Sequence, residues 1–222
     1  MAGAARYDGI ADWYDEVFAA SELGRSNCEA ALTLLGEGPG RLLDVGCGGG
    51  LNALAFAEGG WTVTGVDISG DQLRLAASRG VDVLRADARS LPFPDASFDA
   101  VVSVGTHTDM DDFGGALVEV ARVLRPGKPF VYVGLHPCFV GPHAWVHNTT
   151  VPELHPGYFE TGWRTEGPGI WTEGLRAKVG ENHLPLGEFI QSFVDAGFAL
   201  ERFDEPPMGR EYPYMVATKW RR

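Results

Sequence analysis

Arg41-Leu42-Leu43-Asp44-Val45-Gly46-Cys47-Gly48-Gly49-Gly50 is the stretch that decides the fold. The run from Arg41 to Val45 reads as a short buried strand. It ends in acid-x-Gly-x-Gly-x-Gly, where the backbone can turn sharply and approach a ligand with no Cβ in the way. Leu51 to Glu58 follows with Leu51, Leu54, Ala55 and Ala57 at helical spacing. Thr62 to Val66 is a second strand, and the next acid at a strand end is Asp67. A carboxylate there can accept hydrogen bonds from both ribose hydroxyls of a nucleoside, although an Asp before a helix also serves as an N-cap. Gly48-x-Gly50-x-x-Ala53 satisfies the loose nicotinamide-cofactor fingerprint as well, so the loop alone does not name a cofactor.

Outward from this unit the pattern repeats. Asp71 to Ser78 is a helix and Val81 to Arg85 a third strand. Phe98 to Val104 is a fourth, with the continuous Ala100-Val101-Val102 of a strand buried on both faces. Ala116 to Leu124 is a helix broken by Arg125-Pro126-Gly127, and Phe130 to Val133 is a fifth strand. Strands separated by helices predict a doubly wound, Rossmann-like, mostly parallel α/β sheet. From about 136 to 185 the regularity stops. That stretch holds five of the six histidines and the aromatics Trp145, Tyr158, Phe159, Trp163 and Trp171. Long irregular segments in compact domains are commonly lids or binding loops, so residues 136–185 are expected to be an inserted substrate cap in a single domain spanning 1–222. Leu186 to Ala196 then forms an amphipathic helix closed by Gly197, and Phe198 to Phe203 with Tyr212 to Thr218 an antiparallel terminal pair.

Composition narrows the function classes. The formal charge of −12 argues against nucleic acid and against an anionic membrane surface, because both need a clustered basic face. The only such cluster, Lys219-Trp220-Arg221-Arg222, reads as a solvated tail. Cys28, Cys47 and Cys138 are odd in number and form no C-x-x-C, which predicts neither a disulfide framework nor a thiolate zinc site. The opening Met1 to Asp8 has no apolar run after its positive charge, so no signal peptide is expected. Nor does any stretch approach the roughly 18 apolar residues of a membrane span. The expectation is a cytoplasmic protein with a small-molecule substrate, with homodimerisation left open.

With these motifs in order, the sequence resembles the class I S-adenosylmethionine-dependent methyltransferases, and among them the small-molecule group sometimes called type 11. Leu43 to Gly50 looks like the family's first motif and Val66-Asp67-Ile68-Ser69 like its acidic residue and follower. Ala86-Asp87-Ala88 and Leu91 to Asp99 look like the third-strand motif and its approach to strand four. Val123 to Lys128 resembles the turn before strand five, with Lys128 where Gly is commoner. Tyr7-Asp8-x-Ile10-Ala11-x-x-Tyr14-Asp15 resembles the opening segment that closes over the methionine end. The resemblance implies that Asp44, Gly46 and Gly48 hold the methionine moiety, with Cys47 a small filler within that loop and Tyr14 in the closing segment. It implies that Asp67 takes the ribose, that Ile68 packs on the adenine and that Asp87 accepts from its amino group beside the Ala88 backbone. Val104 and Gly105 would flank the sulfonium. The plainer reading of Asp87 is a turn or cap residue.

A sulfonium methyl is already electrophilic, so such an enzyme mainly aligns a nucleophile and excludes water. A phenol or alcohol acceptor is helped by a base. His107, just beyond strand four, and His136, just after strand five, are the placed candidates, with His143 and His183 less constrained. The spacing of His136, His143, His147 and His155 raises a metal site, but Gly141 and Pro142 disfavour a helix there and no carboxylate completes a ligand set, so no metal is expected. The expected function is methyl transfer to a small-molecule acceptor, an O- or N-methylation of an aromatic or natural-product metabolite. A nicotinamide-dependent oxidoreductase is the weaker alternative, lacking a Tyr-x-x-x-Lys pair and a second domain. A cyclase or non-methylating binding protein on the same fold is the other.

Overall fold

A computed structural model describes residues 5–147, 150–207 and 209–222. Met1 to Ala4 of the opening and Asn148 and Thr149 of the expected cap lie outside the described residues.

Five parallel strands form the centre: β1 (Gly40–Val45), β2 (Trp61–Asp67), β3 (Asp82–Arg85), β4 (Ala100–Val104) and β5 (Pro129–Leu135). β6 (Ala199–Asp204) and β7 (Met215–Arg221) complete a seven-stranded sheet in the order β3-β2-β1-β4-β5-β7-β6. β7 runs antiparallel to both β5 and β6. The expected mostly parallel sheet with a terminal antiparallel pair is therefore what forms. An all-parallel dinucleotide fold would continue 3-2-1-4-5-6; here β7 is inserted between β5 and β6.

Helices cover both faces: α1 (Glu22–Leu35), α2 (Leu51–Glu58), α3 (Gly70–Ser78), α4 (Phe113–Val123) and α5 (Leu186–Asp195). Side-chain alternation on β5 shows how one strand serves two cores. Phe130 and Tyr132 face Phe113, Leu117, Phe189 and Phe193. Val131 and Val133 face the opposite layer with Ala31, Leu34, Leu42 and Phe56. α1 was absent from the sequence reading. Ser21 caps it by accepting from the Gly24 amide at 3.2 Å, and it buries only Ala31, Leu34 and Leu35. α4 begins a turn before the expected Ala116, because Asp112 caps it by accepting from Gly115 N–H at 2.8 Å.

The segment 136–185 is more ordered than expected. Ala144–Trp145 pairs with Glu153–Leu154, and Gly162–Arg164 pairs with Glu181–His183, both antiparallel. A short helix spans Leu175–Val179. Strands of two or three residues are too short to leave a readable period. Among the described residues no helix is long and apolar enough to cross a membrane.

Candidate functional site

The glycine loop sits at the carboxyl end of β1, where open α/β sheets place ligands. The Gly46 and Cys47 amides both donate to the Val66 carbonyl, at 2.8 and 3.0 Å, and this turns the chain back over β2. Gly46 has φ +73°, and a Cβ there would lie 2.5 Å from Thr106 Cγ2. At Gly49 a Cβ would lie 2.6 Å from Asp15 Oδ1, so the N-terminal segment approaches the loop through that position. Cys47 is buried with its sulfur against Gly65; burial pushes its thiol up, and it stays protonated as a filler.

Asp67 ties the loop to the second strand. Its Oδ2 accepts from Gly48 N–H at 2.9 Å and its Oδ1 from Ser69 N–H at 2.9 Å. The cap of α3 is Ser69, whose Oγ accepts from Gln72 N–H, so Asp67 is not that helix's N-cap. Burial raises the Asp67 pKa above its ordinary value, against the pull of its backbone donors. Asp44 lies beneath the loop at 1% exposure, and burial pushes it up to about 7. Buried side-chain acceptors rarely lack a partner. Among the described residues four buried polar atoms do, and three of them belong to Asp44 (Oδ2), Gln72 (Oε1) and Asn27 (Oδ1) around this loop.

Two cavities meet there. The first, about 370 Å³, is lined by Asp67, Ile68, Asp87 and Ala88 together with Tyr7 from the N-terminal segment. The second, about 360 Å³, lies between the loop and the 136–185 segment and takes Cys47, Asn27, Phe18 and Trp171. Tyr14, Gly46, Gly48, Val104 and Gly105 line both and mark the passage between them. Of the expected cofactor residues, only Asp44 is on neither lining. Asp87 is held by Arg89, at 2.6 Å to Nη2, which keeps its carboxyl below the ordinary range.

The N-terminal segment is pinned over this passage by side chains. Arg6 pairs with Asp111 at 2.8 Å, Ser69 Oγ donates to Asp8 at 2.7 Å, and the Gly9 amide donates to Asp71. Arg79 donates to Asp15 at 2.5 and 2.9 Å and to the Gly49 carbonyl at 2.5 Å, linking segment, loop and helix α3. Arg6 also lies 3.4 Å over the Trp163 ring, so the N-terminal segment touches the 136–185 segment. Arg79→Ala removes charged hydrogen bonds at a partly buried position. We expect it to lower stability by about 2 kcal/mol in denaturant titration and to expose residues 5–20 to limited proteolysis. An unchanged cleavage pattern would contradict the pinning.

The two candidate bases lie elsewhere. His107 is buried among Phe113, Tyr132 and Phe189 and lines neither cavity. Its Nδ1 makes a short hydrogen bond to the Tyr132 hydroxyl, and burial drives its pKa down to about 3. It is a neutral core residue, shut off from any acceptor. His136 also lines neither cavity. Its Nδ1 accepts from the Cys138 amide at 3.1 Å, which leaves Nε2–H to donate to Glu205 at 2.9 Å. Both nitrogens are engaged, and the ring fastens the segment after β5 to the residue that follows β6. His143 and His183 donate from Nε2 to the Cys138 and Tyr158 carbonyls. His147 alone reaches the second cavity, stacked on Trp171 at 4.1 Å. Among the described residues no cluster of three metal-ligating side chains forms.

What the sequence reading missed is a charge group between the cavities. Arg176 pairs with Asp109 at 2.6 Å and donates to Thr108 Oγ1 at 2.8 Å, while Tyr7 donates to Asp109 at 3.1 Å. Glu181, at 2% exposure, lies 3.8 Å from Arg176 Nε. Asp109 faces the first cavity; Arg176 and Glu181 face the second. Burial pushes Glu181 up to about 7 in spite of Arg176. Only a polar buried-strand pattern at Glu181-Asn182-His183 hinted at it, and that pattern is three residues long.

Residues 43–132 match the family described as methyltransferase domain. A fatty-acid O-methyltransferase of Mycolicibacterium smegmatis is 42% identical over 103 residues, which are 44% of this chain and 38% of that one. The chain spans about two fifths of the length of the curated relatives it matches. An S-adenosylmethionine dependent methyltransferase from Mesorhizobium loti superposes with a TM-score of 0.71 at 24% identity, covering 97% of this chain and 99% of that one. The cyclase SpnF superposes with a TM-score of 0.62 at 21% identity, covering 90% and 81%.

Proposed function

From a chain that has the class I methyltransferase fold and whose residues 43–132 match the methyltransferase-domain family, we infer an S-adenosylmethionine-dependent enzyme that methylates a small molecule. The observation that carries this is the pair of cavities joined at Tyr14, Gly46, Gly48, Val104 and Gly105. One cavity suits a nucleoside and the other an acceptor. The residues present fit the cofactor. Asp67 presents a carboxylate to the ribose position, and the unpartnered acceptors of Gln72 and Asn27, one on each cavity lining, suit a donor-rich ligand close to the loop. When bound, the cofactor supplies a methyl group already activated by positive sulfur. The chain's own task is then to hold the acceptor in line at Gly105 and keep water out. Arg79 and the N-terminal segment do the second by closing over the loop.

The Mycolicibacterium relative's O-methylation supports oxygen as the acceptor atom, and the aromatic lining of the second cavity supports a ring-bearing metabolite, in keeping with a natural-product role. A cytoplasmic setting suits the three free cysteines. One chain lines both cavities, so a homodimer is not needed to complete either. The cyclase alternative rests on the fold alone, with no residue favouring it. Isothermal calorimetry is the direct test: S-adenosylmethionine and S-adenosylhomocysteine should bind with micromolar affinity, about −8 kcal/mol, and NADH should give no heat. Heat with NADH alone would sink the proposal.

A further inference from the structure

Building on the methyltransferase reading, we propose that the acceptor carries a phenolic hydroxyl and that Glu181 is the catalytic residue that takes its proton. Glu181 lines the second cavity together with Tyr14, Val104 and Gly105, the residues through which that cavity meets the first. A group bound against Glu181 therefore lies on the approach to the methyl position.

Its carboxylate is short of donors. Among the described residues no hydrogen bond reaches it, and the nearest cation, Arg176 Nε, stands at 3.8 Å. Arg176 is itself committed to Asp109 at 2.6 Å and Thr108 at 2.8 Å. A carboxylate this deeply buried without donors is costly to hold, and an acceptor O–H supplies the missing one. The groups that set its proton affinity are Arg176, which lowers it, and Asp109, which raises it along with burial. Tyr214 and Arg210 complete the charged and phenolic lining, with Arg210 4.5 Å over the Tyr214 ring. Arg164 stands opposite Glu181 in the strand pair but its guanidinium is paired with Glu160. The balance puts Glu181 near neutral pH, where a general base is most effective.

The same lining selects among acceptors. Arg176 and Arg210 disfavour a bound ammonium, and Glu181 disfavours a carboxylate close to the methyl position. A neutral hydroxyl meets neither objection. Trp171 stacked on His147, with Phe18 and Tyr14, gives flat walls for an aromatic ring. In the reaction the phenol oxygen forms the new C–O bond with the methyl carbon as the S–C bond breaks. The bonding pair returns to sulfur, leaving a neutral thioether, and the phenolic proton ends on Glu181, which releases it to water.

The test uses a panel of substituted phenols as acceptors, with turnover followed from pH 5 to pH 9. With the native chain kcat should rise with pH through about 7, as Glu181 loses its proton and becomes able to accept one. In the same assays, Glu181→Gln should lose about 10²-fold or more in kcat and the acid limb of its pH profile. Formate should restore part of the rate to Glu181→Ala. Calorimetry must show unchanged S-adenosylhomocysteine affinity in both variants, which guards against misfolding. An equal kcat and an unchanged acid limb in Glu181→Gln would overturn the role of Glu181. Methylation of decanoate but of no phenol, or no phenol binding to loaded native protein, would overturn the acceptor class. Loss of cofactor binding by the native chain would instead remove the methyltransferase reading on which this rests.

Discussion

Asp67→Ala should bind S-adenosylmethionine at least about 10²-fold more weakly than the native chain while unfolding at nearly the same temperature. The two halves of this result come from one geometry. Without ligand, the Asp67 carboxylate holds Gly48 N–H and Ser69 N–H at 2.9 Å each and is otherwise poorly solvated, which raises its pKa. Removing it loses two backbone hydrogen bonds but also relieves the burial of a charge, and such terms offset each other to within about 1–2 kcal/mol. In the proposed complex the same carboxylate would accept from two ribose hydroxyls. Charge-assisted hydrogen bonds contribute about 1.5–3 kcal/mol each, so their joint loss is about 3 kcal/mol or more, a factor of at least 10². Asp67→Asn separates the causes further, because its amide oxygen can keep one backbone donor while the charge is gone. An Asp67→Ala affinity within threefold of native would show that the ribose is not held there.

The elements that were legible in the sequence are those whose signals are local. Gly46 to Gly50, Asp67 and Asp87 sit within a few residues of strand ends, where composition and position coincide, and all three land on the first cavity or its rim. The resemblance to class I methyltransferases is borne out by the strand order and by the match over 43–132. Asp109, Arg176 and Glu181 were illegible for the opposite reason. They come from segments some seventy residues apart and acquire meaning only when the Glu181–His183 strand packs beside the turn at His107–Asp109. α1 went unread because Gly24 and Asn27 interrupt its apolar stripe, so only tertiary packing makes it a helix. The histidines were misplaced because a polar residue after a strand looks like a site residue from sequence, whereas burial decides its chemistry. His107 and His136 follow β4 and β5 as expected, yet turn into the core and toward Glu205.

That inward turn of His107 predicts a pH effect large enough to isolate. In the folded chain burial brings its pKa down to about 3; in the unfolded chain it titrates at about 6.5. Above pH 6.5 the residue is neutral in both states and contributes no pH dependence. As pH falls below 6.5 the unfolded chain takes up a proton that the folded chain refuses, so stability is lost progressively until about pH 3. By pH 4 the loss from this residue alone is about 3 kcal/mol. Asp44 and Glu181 act in the opposite sense, because burial lifts each to about 7 and the folded chain binds their protons first. A plain stability curve therefore mixes the three, and the difference between native protein and His107→Phe removes the shared contributions. Phe fits the aromatic surroundings of Phe113 and Phe189 but leaves the Tyr132 hydroxyl without its partner, so the variant should be less stable than native at pH 8. Its deficit should shrink as pH falls and change sign by about pH 4, measured by urea titration at each pH. A deficit that stays constant from pH 8 to pH 4 would mean that His107 protonates in the folded state, and with it that the residue reaches solvent and returns to contention as a base.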